Sequence, residues 1–412
     1  MAKKAKVETT SGSIFDIINS VDNGCELIEN SAGAQITEYI STGSYILNAA
    51  ITGSMFRGIP CGRVTTLAGE PGAGKSFLAL SVCREAQKQG YVPIYLDSEG
   101  AQDVNSVSRL GVDTKRFMIK QVNTISEVST FILNLCTKLE AIPAENRDKV
   151  IIVLDSLGNL TSNKEAEDIL NATGKRDMTK QQEIKALFRV SATPLAKLHI
   201  PFIVVSHIYQ TQDLFSKAVV SGGSGINYNS SVTLMLSAAK LNGADKDNDK
   251  AAENAKGELM KTGVIVTAKP NKSRFTIPQK VSFYIPFFKA PNPFVGLDQY
   301  MTWENSGIGK GKCYTQKEYE KLKPAEQSAC VSFEFEGETK YALLKDSARN
   351  IVISHLGCDI PVSDFFTSKV FNEEFMKKFD DNVIKPSFEL PDQSKWDNDD
   401  ELVSELIDEV ED

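Results

Sequence analysis

The sequence predicts an α/β protein in which helices flank a largely parallel β-sheet. Strand and helix patterns alternate from about residue 36 to residue 290, and several strand patterns are continuous apolar runs, such as Val150 to Leu154. A glycine-rich turn also lies between one strand pattern and the helix pattern that follows it. Alternation of this kind favours parallel pairing, because each helix returns the chain to the edge where the next strand starts.

The individual elements follow in chain order from local apolar spacing. An apolar stripe within residues 14–18 predicts a small helix, which must dock on its own domain or on a neighbouring subunit because so short a helix is unstable alone. A longer helix is predicted over residues 76–89, and another starts at Thr124, which forms a Thr-x-x-Glu capping box with Glu127. The predicted strands span residues 63–68, 93–97, 150–155, 201–205, 264–267 and 281–284, with the last two on the edge side of the sheet.

The charge distribution separates a nearly neutral body from an acidic end. Residues 391–412 carry ten acidic residues and one lysine, a net charge of −9, whereas the whole chain of 412 residues has a net charge of −8. The rest of the chain therefore carries about +1, which leaves it free to present basic surface to a polyanion.

Cysteine usage and hydropathy indicate a reducing compartment. The seven cysteines lack C-x-x-C spacing and the chain has only three histidines, so we do not expect a zinc site. No secretory signal is predicted, and no apolar stretch approaches the length of a membrane span. We therefore expect a cytoplasmic protein with no membrane partner.

The glycine-rich turn is a complete G-x-x-x-x-G-K-[ST] phosphate-binding loop. It consists of Gly69, Glu70, Pro71, Gly72, Ala73, Gly74, Lys75 and Ser76. Its glycines let backbone N–H groups converge on a phosphate, and the following helix N-terminus adds positive potential. Lys75 would neutralise the β- and γ-phosphates, and the Ser76 hydroxyl would bind Mg²⁺. The strand before and the helix after favour a nucleotide site over a glycine-rich turn that binds nothing.

Two carboxylates follow predicted strands near this loop. Asp155 ends the apolar run at 150–155, where a P-loop fold places its second Mg²⁺-organising carboxylate, usually acting through water. The alternative for Asp155 is an ordinary turn residue. Glu99 lies just past the strand at 93–97 and could hold the water that attacks the γ-phosphate, or it could be a solvated loop acid.

Two polar loops combine cations with flexible backbone. The loop at 172–182 contains Lys175, Arg176 and Lys180. The loop at 208–225 contains Tyr209, Phe215, Lys217, Gly222 and Gly223. Aromatic side chains beside cations can stack on nucleic-acid bases, so these loops are either a single-stranded DNA surface or two mobile surface loops.

Together these motifs resemble the RecA-type recombinases over residues 36 to 290. The matching segments are 40–44 (ISTGS), 58–63 (GIPCGR) leading into the P-loop, 96–99 (LDSE), 109–113 (RLGVD) and 154–160 (LDSLGNL). Residues 177–179 and 215–217, with the later Gly222-Gly223, are most similar to the phage branch of the family.

The resemblance implies roles for matching positions. Glu99 falls on the catalytic glutamate, and Asp103 on the residue that contacts adenine. His207 falls on the residue that senses the γ-phosphate and links it to the second DNA loop, unless it is a satisfied core histidine. Ser106 stands where the bacterial branch has a tyrosine against the base, which puts adenine stacking in doubt.

Lys272 and Arg274, followed by Pro278, resemble the two cations that the family donates across the subunit interface to the γ-phosphate of a neighbour. The bacterial branch has two lysines, so which cation matters more stays open. The alternative is a solvated strand edge. The resemblance also places the two polar loops on the family's two DNA-binding loops.

We therefore expect a RecA-like P-loop ATPase core at 36–295, preceded by an oligomerisation segment at 1–35. A small accessory domain at 296–388 and an acidic tail at 389–412 would follow, the tail either solubilising the protein or competing with DNA for basic surface.

The expected function is ATP- and Mg²⁺-dependent homologous pairing and strand exchange. A helical filament of this protein on single-stranded DNA would act on a homologous duplex, with a loading mediator and a single-strand-binding protein implied by resemblance. If the protein is viral, the compartment would be the host-cell cytoplasm. The alternatives are a ring helicase with the same core fold and a non-recombinational ATP-switch module.

Overall fold

A computed structural model gives the fold. It describes residues 14–21, 25, 27–170, 179–210, 218–221, 224–239, 263–286, 290–306, 308–310, 312–335, 337–343, 353–355, 358–360 and 366–390. Within these ranges, no helix combines the length and apolarity that a membrane crossing requires.

A nine-stranded sheet forms the centre of the molecule. Its strands are β3 (Val64–Gly69), β4 (Val92–Asp97), β5 (Met118–Gln121), β6 (Val150–Asp155), β7 (Phe202–Gln210), β8 (Ala218–Val220), β9 (Val232–Ala239), β10 (Gly263–Ser273) and β11 (Val281–Pro286). The order is β11-β10-β9-β3-β7-β6-β4-β5, with β8 paired to β7. The six strands from β9 to β5 run parallel, whereas β10, β11 and β8 pair antiparallel. A separate pair, β1 (Tyr39–Ile40) and β2 (Ile59–Pro60), precedes the sheet.

Helices cover both faces of this sheet. Those that contribute residues to its two apolar cores are α2 (Tyr45–Thr52), α3 (Lys75–Lys88), α4 (Val104–Arg109), α5 (Ile125–Glu140), α7 (Lys180–Lys197) and α8 (Ser224–Asn229). Two further helices are α1 (Ile14–Val21) and α6 (Asn163–Leu170). Alternate residues of a strand point to opposite faces, so Ile151 joins the apolar core under α2 and α3, and Ile152 joins the core under α5 and α7. The central strands are apolar on both sides because both sides are covered.

These observations confirm the predicted fold class. Each predicted strand is present, and β10 and β11 form one edge of the sheet. The capping box at Thr124 and Glu127 is formed and starts α5. Helix α1 is also present, with Ile14, Ile17 and Ile18 exposed.

The region after β11 contains two small antiparallel sheets and a return to the core. One sheet is β12 (Ile308–Lys310), β16 (Ile353–His355) and β17 (Cys358–Ile360), and the other is β13 (Lys312–Thr315), β14 (Cys330–Phe335) and β15 (Glu338–Leu343). Short helices lie at Trp303–Ser306, Gln316–Tyr319, Pro324–Gln327, Glu373–Phe379 and Lys385–Phe388.

The last of these helices belong to the apolar core of the large sheet. Phe379 and Phe388 are buried in it, and the Asp380 carboxylate accepts hydrogen bonds from Ser54 Oγ and the Met55 N–H, each at 2.7 Å. The segment proposed as an accessory domain, 296–388, therefore ends against the ATPase core. Its boundary stays a prediction.

Candidate nucleotide-binding site

The candidate site lies at the carboxyl edge of the parallel strands. Gly69 at the end of β3 is the register partner of His207 in β7, and Asp97 at the end of β4 is the partner of Asp155 at the end of β6. Parallel strands end at a common edge, so four segments distant in sequence bring polar groups together here. The phosphate-binding loop, Glu99 and Asp155 all lie at or just past strand ends on this edge, and their roles stay predictions.

The phosphate-binding loop has the backbone conformation its sequence requires. Gly72 and Gly74 have φ values of 77° and 82°, in the left-handed region that glycine adopts at little cost. Gly74 is the N-cap of α3, so the free N–H groups of the first helical turn face the loop. A loop and a helix N-terminus in this arrangement fit a phosphate.

Lys75 is buried inside the loop rather than extended into solvent. Its Nζ donates to the carbonyl oxygens of Gly69 at 2.9 Å and Glu70 at 2.8 Å. Burial lowers the pKa of Lys75, and the nearby charges of Asp155 and Glu99 oppose that change. The ammonium is thus held where it can meet a phosphate.

Asp155 is a buried carboxylate with one oxygen satisfied. Tyr95 Oη donates to Asp155 Oδ2 at 2.5 Å, whereas Oδ1 has no hydrogen-bond partner among the described residues. Burial raises the pKa of Asp155, and the hydrogen bond from the Tyr95 hydroxyl partly offsets this rise. An orphaned buried carboxylate oxygen near the Ser76 hydroxyl fits Mg²⁺, which takes few protein ligands and keeps several waters.

Glu99 lies between the loop and β7. Its Oε1 accepts a hydrogen bond from Ser156 Oγ at 2.7 Å and lies 3.2 Å from His207 Nε2. The Glu99 and His207 side chains are about one-third exposed, at 29% and 34%. Glu99 can therefore hold a water and touch the histidine at the same time.

The sequence did not predict the residues that hold Glu99 in place. The buried Asp97 carboxylate accepts from the backbone N–H of Glu99 at 2.9 Å and of Gly100 at 2.8 Å. Ser98 Oγ donates to the Ser156 carbonyl at 2.7 Å and accepts from the Ser156 N–H at 2.8 Å. A strand ending in Asp-Ser-Glu beside another ending in Asp-Ser is a pattern that could have indicated this network.

Asp103 is the N-cap of α4. Its Oδ1 accepts from the N–H groups of Asn105 and Ser106, and its Oδ2 accepts from the Ser106 hydroxyl. These hydrogen bonds lower the pKa of Asp103, those from Ser106 contributing most. Asp103 lies on the surface, and its role toward adenine stays a prediction.

Of the predicted DNA-binding residues, the structure describes Lys180 and Tyr209. Lys180 begins α7 and donates to the Gly158 carbonyl at 3.1 Å; a Cβ atom at Gly158 would lie 3.3 Å from the His207 ring. Tyr209 is 49% exposed and pairs with Val219 where β7 and β8 form a hairpin. The other predicted DNA-binding residues, Lys175, Arg176, Phe215, Lys217, Gly222 and Gly223, lie outside the described residues.

The base of this hairpin is tied to His207. The Ser221 N–H donates to the His207 carbonyl at 2.7 Å, and Ser206 Oγ donates to the Ser221 carbonyl at 2.8 Å. His207 therefore contacts Glu99 through its ring and the end of the predicted second DNA loop through its backbone.

Lys272 and Arg274 lie near the amino ends of the parallel strands, whereas the phosphate-binding loop lies at their carboxyl ends. Lys272 pairs with Thr233 near the start of β9, whereas Gly69 pairs with Leu236 further along the same strand. This register puts about 10 Å between them along the strands and about 10 Å across two strand spacings. Lys272 Nζ donates to the Tyr228 carbonyl at 3.0 Å, on the side away from the loop. The two cations are therefore not placed to serve the loop of their own chain.

The fold and the phosphate-binding loop together define a P-loop protein of the α/β class. Its sheet matches the predicted RecA-like arrangement, and a family model described as the RecA N-terminal domain matches residues 19–276. The chain therefore belongs to the RecA N-terminal domain family, which confirms the predicted resemblance.

Curated relatives include phage and bacterial proteins. The Recombination and repair protein of Enterobacteria phage T4 (UvsX) is 30% identical over 257 residues, covering 61% of this chain and 60% of that protein. Protein RecA of Helicobacter hepaticus is 30% identical over 200 residues, covering 47% and 54%, and Protein RecA of Desulforapulum autotrophicum is 30% identical over 235 residues, covering 56% and 61%. The chain thus spans between about half and three-fifths of the length of these relatives.

Proposed function

We propose that the protein is an ATP-dependent, DNA-stimulated recombinase that forms a helical filament on single-stranded DNA and pairs it with a homologous duplex. One observation carries the proposal: the Glu99 carboxylate contacts His207 at 3.2 Å, and His207 is bonded to the base of the β7–β8 hairpin. A group that can act on a γ-phosphate is thereby linked to a loop that can bind DNA. Membership of the RecA N-terminal domain family supports the same conclusion.

Hydrolysis would use residues that are already positioned. Lys75 would neutralise charge on the β- and γ-phosphates, and Glu99, oriented by Ser156, would accept a proton from the attacking water. Ser76 and Asp155 would hold Mg²⁺, the latter through water. When bound, Mg²⁺ would neutralise phosphate charge during transfer.

The position of Lys272 and Arg274 supports an ATP site shared between subunits. Since the pair faces away from its own loop, we infer that it completes the site of the next protomer in a head-to-tail assembly. Such cations stabilise transition-state charge, as an arginine finger does. ATP would then favour the assembled filament, because it binds both subunits at once.

DNA would bind at the carboxyl edge of the sheet, beside Lys180 and Tyr209. Exposed aromatics can stack on bases of any identity, and lysines and arginines contact phosphates without reading sequence. Recognition of homology would come from Watson–Crick pairing rather than from protein contacts to base edges. A loading mediator and a single-strand-binding protein remain proposed partners.

The decisive test is joint-molecule formation between a single strand and a homologous duplex, with and without ATP. We expect pairing that requires ATP, loss of pairing in Lys75→Ala, and retained ATP and DNA binding without turnover in Glu99→Gln. Unwinding without pairing would instead indicate a helicase motor. An ATPase that single-stranded DNA leaves unchanged would indicate an ATP switch, and wild-type hydrolysis by Glu99→Gln would refute the role of Glu99.

A further inference from the structure

The proposed site gives no function to Tyr95, a buried side chain whose hydroxyl contacts the Asp155 carboxylate. Tyr95 lies in β4, two residues before Asp97, and its side chain is fully buried. Its Oη donates to Asp155 Oδ2 at 2.5 Å, and Gln102 Nε2 donates to the same Oη at 3.3 Å. Tyr95 is thus the middle member of a hydrogen-bonded chain that ends on the carboxylate.

Strand register explains why this contact forms. Tyr95 pairs with Val153 across β4 and β6, so Asp155 is its diagonal neighbour on the same face of the sheet. Diagonal cross-strand neighbours lie about 7–8 Å apart, within reach of an aromatic side chain. The ring also packs against Phe117 at a centroid distance of 5.7 Å, which restricts its rotation.

The hydrogen bond from Tyr95 makes the two carboxylate oxygens of Asp155 different from each other. A carboxylate rotates about its terminal bond with little preference, so both oxygens could exchange places without a restraint. The Tyr95 hydroxyl binds one oxygen and leaves Oδ1 without a hydrogen bond from any residue in the described ranges. Oδ1 is consequently the oxygen presented to a hydrated cation.

We propose that Tyr95 is a positioning residue for Mg²⁺: its hydroxyl fixes the Asp155 carboxylate so that Oδ1 faces the cation or its water. This inference rests on the proposed function, which places Mg²⁺ between Ser76 and Asp155. Ordered supporting groups of this kind tune metal sites, and their loss typically weakens metal binding by about 10- to 100-fold. Because Asp155 acts through water, we expect an effect at the lower end.

The test is Tyr95→Phe, which keeps the ring and its packing and removes only the hydroxyl. Binding of a fluorescent ATP analogue is titrated with Mg²⁺. We expect the Mg²⁺ concentration for half-maximal enhancement of binding to rise about 10-fold, the lower end of the range for loss of a group that supports a metal ligand. Affinity for the analogue at saturating Mg²⁺ should return to nearly the wild-type value.

Tyr91→Phe is the matched control. Tyr91 is also a buried tyrosine whose hydroxyl donates to a carboxylate, that of Glu38, but it lies before the start of β4, at the opposite end of the strand. A merely structural effect of losing a buried hydroxyl should lower the melting temperature of both variants and leave the Mg²⁺ midpoint unchanged. An unchanged midpoint in Tyr95→Phe would therefore overturn the inference.

Two further variants keep the outcome interpretable. If Tyr95→Phe does not fold, Gln102→Leu removes the donor behind the hydroxyl and should raise the midpoint by a smaller factor; a wild-type midpoint there overturns the inference. Asp155→Asn tests the proposed function itself. A shift in Asp155→Asn without one in Tyr95→Phe rejects only the role of Tyr95, whereas no shift in Asp155→Asn rejects the proposed Mg²⁺ site.

Discussion

At the scale of single residues, His207 is the point where nucleotide and DNA can influence each other. Its ring contacts Glu99 at 3.2 Å, and its carbonyl accepts from the Ser221 N–H at 2.7 Å. Replacement by phenylalanine would keep a planar ring and remove the contact with Glu99. We expect His207→Phe to bind ATP normally and to lose most of the DNA stimulation of its ATPase.

The size and symmetry of this effect can be measured. Coupling between two sites typically amounts to about 5- to 150-fold in affinity, and it is reciprocal. DNA affinity with and without a non-hydrolysable ATP analogue should therefore differ in the wild type and differ much less in His207→Phe. His199→Asn is a suitable control because His199 lies before the start of β7 with a φ of 51°, which asparagine tolerates. Wild-type coupling in His207→Phe would exclude the role.

The sequence predicts the charged groups of the site but not the groups that orient them. The phosphate-binding loop, Glu99 and Asp155 can be identified because their residue types and their positions after predicted strands can be read from the sequence. Tyr95 and Ser156 act through neighbours on other strands, and those contacts depend on register. An apolar strand containing a tyrosine is usually read as core, and the hydroxyl has meaning only once Asp155 is placed beside it.

At the scale of elements, the direction of β10 determines at which end of the parallel strands Lys272 and Arg274 lie. Because β10 runs antiparallel to β9, its carboxyl end lies at the amino edge of the parallel strands. Lys272 and Arg274 are thereby separated from the loop of their own chain. This geometry makes the choice between an intrasubunit and an intersubunit site testable.

Mixing two inactive variants provides that test. Lys75→Ala loses its own nucleotide site but still donates cations, whereas Arg274→Ala keeps its loop but donates a defective pair. In a head-to-tail assembly of equal amounts, about one-quarter of the interfaces would combine an intact loop with intact cations. We expect the mixture to recover roughly that fraction of the wild-type DNA-dependent ATPase rate, and each variant alone to be inactive. If Arg274→Ala alone is active, the test is repeated with Lys272→Ala; a mixture that stays inactive would contradict the shared site.

At the scale of the whole molecule, the parallel sheet was predictable and the return of the chain end was not. Continuous apolar runs identify strands covered on both faces, and their alternation with helices predicts parallel pairing. The packing of Phe379 and Phe388 into the large core has no counterpart in local pattern, since a few aromatic residues in a charged segment fit many environments. Long-range docking depends on the shape of the surface that receives it.

The docking of Phe379 and Phe388 determines the position in the fold from which the acidic segment 391–412 starts. The Glu389 backbone pairs with Thr276, two residues after Arg274, and the Glu389 carboxylate lies 2.6 Å from Arg57. Residues 391–412, with a net charge of −9, therefore follow directly from a point beside the cation pair. Acidic residues attached to the chain at this point can compete with a polyanion for basic surface.

Truncation after Leu390 tests this competition. We expect the truncated protein to bind duplex DNA more tightly at low salt. A plot of the logarithm of its affinity against the logarithm of salt concentration should be steeper by about 0.9 for each additional lysine or arginine that contacts a phosphate. The advantage should shrink as salt rises, because salt weakens the tail contacts of the full-length protein as well. A tail of the same length with Asn and Gln in place of its acids should behave like the truncation, whereas a scrambled tail of unchanged charge should behave like the wild type. Equal binding by all four proteins at every salt concentration would show that the tail does not compete with DNA.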